Sequence, residues 1–102
     1  MNKREHLLTC LIEECAEIQK TATKALRFGL DDHAPDGPLN SESIAHEIAD
    51  LLAIVEMLED EKIIPVLRTP KAVQSKKDKV IKYMIYAMEE RGTLDIVDNC
   101  ID

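Results

Sequence analysis

Aromatic side chains are nearly missing from this chain, with one Phe, two Tyr and no Trp among 102 residues. A core of this length must be filled by Leu, Ile, Val, Ala and Met, and it is modest, so apolar helix faces are left over for association into a closed homo-oligomer. Cysteine is sparse as well. Cys10, Cys15 and Cys100 are odd in number and lack CxxC spacing, which points to neither a zinc site nor a disulfide framework. Cys15 falls on an apolar stripe and reads as a small buried residue. Positive charge is in deficit: the formal net charge is −7, and a general nucleic-acid binder needs a basic surface for phosphate contacts. No apolar run approaches membrane length. The start, Met-Asn-Lys-Arg-Glu-His, leads into an amphipathic helix instead of a signal-type apolar segment, so a cytoplasmic protein with no membrane partner is expected. No Glu is followed by His three residues later, the pattern that a carboxylate-bridged di-iron bundle normally requires. No convincing Ser-His-Asp or Cys-His arrangement stands out either.

What the chain does have is helical periodicity interrupted by short, well-marked breaks. One domain spanning residues 1–102 is expected at this length. A first helix should run from Lys3 or Arg4 to Phe28, with Gly29 as its stop. Residues 29 to 40 read as a loop: Pro35, Gly37 and Pro38 break regular structure, and Asp36-Gly37 favours a turn. A loop of that length in a small domain is often functional, here a flap beside a site, and His33 reads as an exposed loop residue. Asn40 or Ser41 should cap a second helix that continues to about Glu61. Residues 62 to 69 are too apolar for a free linker and should pack across a helix end. Thr69-Pro70 marks the start of a third helix that ends near Arg91, with Gly92 as its stop. The tail from Thr93 to Asp102 is compatible with a short helix or an extended arm. The fold class expected is all-α, an antiparallel helical bundle.

Two acidic half-motifs lie inside the first two helices. At about 100° per residue, Leu8, Leu11, Cys15, Ile18 and Ala22 centre the apolar stripe of the first helix, and Ile44, Ile48, Leu51, Leu52 and Val55 centre that of the second. On that wheel Glu14 and Glu47 lie roughly 80° from their stripe centres, and Glu17 and Asp50 roughly 140°, in the same rotational sense. Packing the two helices together brings Glu14, Glu17, Glu47 and Asp50 to one place. Four clustered carboxylates repel, so either some are protonated or a cation sits among them. Oxygen-only ligands favour a hard divalent ion such as Mg²⁺, which keeps positions open for substrate phosphates. The plain alternative is a solvated acidic face.

The spacing Glu13-Glu14-x-x-Glu17 followed by Glu47-x-x-Asp50 resembles the signature of the all-α nucleoside triphosphate pyrophosphohydrolases, the MazG-like family. The resemblance covers about residues 7 to 61, with a weaker echo from Lys79 to Gly92, and the run onward to Lys24 and Arg27-Phe28-Gly29 is similar to the small members. The chain departs from compact members in the long Pro/Gly-rich segment between the two motifs. The resemblance implies Mg²⁺-dependent hydrolysis (Mn²⁺ as a substitute) of a nucleoside triphosphate, with a deoxynucleotide favoured, to the monophosphate and pyrophosphate. It makes Glu14, Glu17, Glu47 and Asp50 the metal ligands. Glu14 then doubles as a catalytic group, and Glu13 is the spare carboxylate placed to position or deprotonate water. Lys24 or Arg27 would reach a substrate phosphate; their alternative role is to favour the negative end of the helix dipole. On the third helix Lys79, with Lys76 or Lys82, would approach triphosphate oxygens, the alternative being a solvated basic face, and Tyr83 would either pack structurally or contact a base or sugar. A homodimer or dimer of dimers is the expected assembly. The rival from another class is a non-catalytic helical interaction module, antitoxin-like or a coiled-coil partner, whose acids would face solvent.

Overall fold

A computed structural model of the chain describes residues 1–95 and is all-helical, with no strand among them. Helix α1 spans Lys3–Phe28, α2 Asn40–Asp60 and α3 Pro70–Tyr86, and a π-helical turn follows over Ala87–Arg91. No helix is long and apolar enough to cross a membrane among the described residues. The chain divides into two compact units, Met1–Pro65 and Val66–Asp102.

The first unit is an antiparallel hairpin of α1 and α2. Lys3, at the start of α1, forms an ion pair with Glu61 just beyond α2, and the Asn40 side chain at the start of α2 donates to the Gly29 carbonyl at the end of α1, 2.8 Å away. Asn2 and Glu5 close a capping box at the start of α1: Asn2 Oδ1 accepts from the Glu5 amide at 2.8 Å, and Glu5 accepts from the Asn2 amide. That arrangement satisfies two amides the helix cannot. At the start of α2 the cap differs from the sequence expectation. Leu39 occupies the cap position, and only the returning Glu42 carboxylate bonds its amide, at 3.1 Å. Asn40 is already helical, and its amide clasps the loop instead of capping the helix.

The loop itself is a built structure. Asn40 donates its backbone amide to Asp32 O at 2.9 Å, Ser41 to Leu30 O at 3.0 Å, and Gly37 to Ala34 O at 2.9 Å. His33 and Leu39 form an isolated antiparallel bridge. Asp36 adopts φ 59°, a left-handed conformation that Asp tolerates better than most residues.

Between the helices, Leu7 and Leu58 are buried, while Leu11, Glu14, Ile18, Thr21 and Ala25 of α1 and Ile44, Glu47, Leu51 and Ile54 of α2 are partly buried. Their spacing alternates between four and three residues, the seam of a two-helix coiled coil. The seam is thus rotated from the stripe read off the sequence. Leu8, Cys15, Ile48 and Leu52 are exposed instead. The helical wheel had averaged two adjacent apolar faces, one between the helices and a second outside, and its centre fell between them. Cys15 in particular lies on the outer face and not in the core.

After α2, the Ile63 and Ile64 amides turn back onto Leu58 O, and Lys62 takes φ 58° to allow it. Ile63 and Ile64 are partly buried as expected for a segment packed across a helix end, but Val66 and Leu67 are exposed. In the second unit Thr69 caps α3 by accepting from the Ala72 amide at 3.1 Å, with Pro70 in the first turn. Gly92, at φ 62°, closes the π-helical turn in the left-handed region that glycine adopts without penalty. The helix expected to reach Arg91 is therefore α-helical only to Tyr86 before its hydrogen bonds lengthen in register. The tail expectation falls mostly on Ile96 onward, outside the described residues.

Because Leu58 is fully enclosed in a hairpin with few other buried side chains, Leu58→Ala is expected to cost about 2–5 kcal/mol. Urea unfolding followed by circular dichroism, with Lys20→Ala at an exposed position of α1 as a much milder control, measures it.

Candidate metal centre

The hairpin places two carboxylates in its own seam. Glu14 of α1 and Glu47 of α2 occupy positions that the four-three spacing would otherwise give to apolar residues, and both are partly buried. Asp50, one turn along from Glu47, is exposed. One carboxylate oxygen from each of Glu14, Glu47 and Asp50 lies within 4.8 Å of the others. Glu17 is not in that trio. It sits exposed one turn beyond Glu14 and acts on it through charge. Glu13 is also exposed and contributes the weakest repulsion to Glu14.

Glu14 carries the strain of this arrangement. Its Oε2 is shut off from solvent and has no hydrogen-bond partner. Burial pushes its carboxyl above the ordinary 4.5, and the negative charges of Asp50, Glu47, Glu17 and Glu13, in that order, push it further the same way. A buried oxygen without a donor is costly, and native structures rarely leave one.

The donor set fits a hard divalent cation. It is oxygen only, it comes from two rigid helices, and ligands on opposite sides of one Mg²⁺ are about 4.2 Å apart, close to the observed spread. Glu14 Oε2 would gain the partner it lacks. Glu17 would join by a change of side-chain rotamer, being one turn from Glu14.

Of the residues expected to bind substrate, Lys24 lines a cavity of about 270 Å³ with Phe28, Asp32, His33, Ala34 and Asn40, at the loop end of the hairpin. Arg27 is not among the lining residues, and its guanidinium lies 4.8 Å from the centre of the Phe28 ring. Lys79 and Tyr83 belong to the second unit. There they line a cavity of about 480 Å³ with Lys76, Met84, Thr93 and Leu94 among others, and the Lys82 ammonium lies 5.9 Å over the Tyr83 ring.

His33 and Asn40 had read as a loop residue and a cap, and Phe28 as a residue that either packs on the core or lines a base pocket. Only the i,i+4 spacing of Lys24 and Phe28 hinted that a cation and a ring share one surface. Their meeting with the loop depends on backbone pairing between residues 30–32 and 40–41, which has no residue-type signature.

No family model matches the chain, and no curated protein or solved structure is similar to it.

The sign of the Glu14 perturbation gives a test. With its folded pKa raised, the folded state holds a proton that the unfolded chain has released, so stability is highest below pH 4.5 and falls as pH rises through the raised value. Glu14→Gln removes that loss. In EDTA at pH 7.5 the variant should melt above the parent, and the two should converge near pH 4; calorimetry across that range measures it. A variant less stable than the parent at pH 7.5 would contradict an unrelieved carboxylate in the seam.

Proposed function

We propose that the protein is a Mg²⁺-dependent nucleoside triphosphate pyrophosphohydrolase, releasing pyrophosphate and a nucleoside monophosphate. The observation that carries this reading is the convergence of Glu14, Glu47 and Asp50 from two helices, with a Glu14 oxygen enclosed and unpartnered. The half-burial of Glu14 and Glu47 favours it over an interaction module with a solvated acidic face. The reaction itself comes from the resemblance to the MazG-like signature; the helical spacing supplies only the carboxylate cluster.

Glu14, Glu47 and Asp50, joined by Glu17, would hold the ion. When bound, it neutralises phosphate charge and lowers the pKa of a water molecule. The two helices fix three of the carboxylates before substrate arrives, so little reorganisation is needed. Glu13, exposed beside Glu14, accepts a proton from the attacking water as the new phosphorus–oxygen bond forms and the bridging anhydride bond breaks. Pyrophosphate leaves with the bonding pair. Lys24, ten residues beyond Glu14, stands about 15 Å along α1 and is free of any ion pair among the described residues, so its ammonium is available to a phosphate. Positioning and charge carry phosphoryl transfer, so no covalent nucleophile is required.

Assembly as a homo-oligomer is part of the same proposal. Ile12, Leu26, Ile48 and Leu52 are exposed on the outside of the hairpin, Leu26 at 88%, and Ala22, Ala25, Leu26, Leu30 and Ile44 line an apolar hollow of about 490 Å³. Four-three spacing recurs in Leu8, Ile12, Cys15, Gln19, Ala22 and Leu26, which suits a second hairpin packing alongside to form a four-helix layer.

Two outcomes are expected. Incubation with a panel of deoxynucleoside and ribonucleoside triphosphates and Mg²⁺ should release pyrophosphate from at least one, EDTA should stop it, and Asp50→Asn or Glu47→Gln should reduce kcat/KM by at least about 100-fold with the helical spectrum intact. Full activity in excess EDTA would end the metal reading. Light scattering on Leu26→Glu/Leu52→Glu should report a smaller particle than the parent; an unchanged mass would remove the outer face from the assembly.

A further inference from the structure

The cavity at the loop end of the hairpin lies on the same side of α1 as the acidic cluster. Glu17 and Lys24 are seven residues apart and so nearly eclipsed on the helix, and Glu14 and Phe28 are fourteen apart, about 40° out of register. On α2, Asn40 lies seven residues, about 10 Å, before Glu47. A strip therefore runs from carboxylates, past a free ammonium, to an aromatic ring at the loop. That order matches the parts of an extended nucleotide: phosphates, then sugar, then base.

The chemistry of the cavity suits a heterocycle. Its volume of about 270 Å³ is below the ~300–1,000 Å³ of sites for drug-sized ligands, so it takes one part of a nucleotide. Phe28 is half exposed and offers a stacking surface, with Arg27 lending a planar cation to the same ring. Apart from Lys24, the polar groups around it accept more than they donate. Asn40 directs its amide nitrogen to Gly29 O, which leaves Oδ1 to accept. His33 has Nδ1 2.9 Å from Ala34 O; a carbonyl can only accept, so Nδ1 carries the proton and neutral His33 keeps Nε2 as an acceptor. Asp32 adds a carboxylate.

We propose that this cavity, formed by Lys24, Phe28, His33 and Asn40, holds the base of the nucleotide whose phosphates the acidic cluster binds, and that it selects cytosine or adenine, which carry an amine where thymine and uracil carry the 4-keto oxygen. The assignment of phosphates to the cluster rests on the pyrophosphohydrolase reading; the pocket itself does not need the metal. An amine donates two hydrogens to acceptors such as Asn40 Oδ1, His33 Nε2 and the Asp32 carboxylate, whereas the keto oxygen that thymine or uracil carries at that position offers them no hydrogen. Lys24, the lining residue nearest Glu14 in sequence, is placed to meet a phosphate of the same nucleotide.

The test separates the pocket from the hydrolysis. With ¹⁵N-labelled full-length protein in EDTA, dCMP and dAMP should shift the Asn40 side-chain amide and the His33 ring resonances, at concentrations about tenfold lower than dTMP requires. Phe28→Leu should weaken dCMP binding about tenfold through lost stacking, and His33→Ala, a change at an exposed loop position, should narrow the gap between dCMP and dTMP. Binding of dCMP at these resonances without any pyrophosphate release from dCTP and Mg²⁺ would uphold the pocket and defeat the hydrolase. Pyrophosphate release with KM and base preference unchanged in both variants would do the reverse, and equal shifts from dTMP and dCMP would overturn the base selection.

Discussion

An unrelieved carboxylate inside a helix seam is the constraint on which the rest of this molecule turns. A two-helix hairpin gains its stability from apolar residues at four-three spacing, and here two of those positions, Glu14 and Glu47, are acidic. Folding brings them and Asp50 together, so the energy of forming the hairpin is partly opposed by repulsion and by the desolvation of one oxygen. A structure that placed these acids one position further round either helix would be easier to fold. It would also have no preformed site. The capping box of Asn2 and Glu5, the clasp of Asn40 on Gly29 and the enclosed Leu58 all act at the two ends of the hairpin, where they offset what its middle costs.

The distribution of apolar surface follows from the same arrangement. With so few aromatics and a seam interrupted by acids, the hairpin encloses little, and a second face carrying Ile12, Leu26, Ile48 and Leu52 stays open. The basic character of α3 belongs to the second unit, where Lys76, Lys79 and Tyr83 share a cavity. Acidic and basic chemistry are thereby segregated along the sequence.

Most helix boundaries were legible from residue types alone because the signals are local: Gly29, the Pro/Gly-rich loop and Thr69-Pro70 each act through the backbone within one turn. The meeting of Glu14 with Glu47 and Asp50 was legible because both pairs hold the same offset on their helices. What could not be read was which apolar face turns inward. Leu8 and Cys15 are as apolar as Leu7 and Leu11, and a wheel weights them alike; only the partner helix distinguishes them. Glu14 consequently lies nearer the seam than the wheel places it. The order of the loop was hidden for a similar reason, since its hydrogen bonds run between backbone atoms of residues 30–32 and 40–41. The Asn40 side chain had two possible uses, and tertiary contact with Gly29 decided between them.

The clasp at the turn also bears on the order in which the hairpin closes. Asn40 and Gly29 are separated by 11 positions, whereas Lys3 and Glu61 are separated by 58. Chain-closure entropy rises with separation, so zipping outward from the turn encounters the smallest entropic barrier at each step. The mutually repelling side chains in the middle are then forced together by a register already fixed at one end, instead of having to find one another across an open chain.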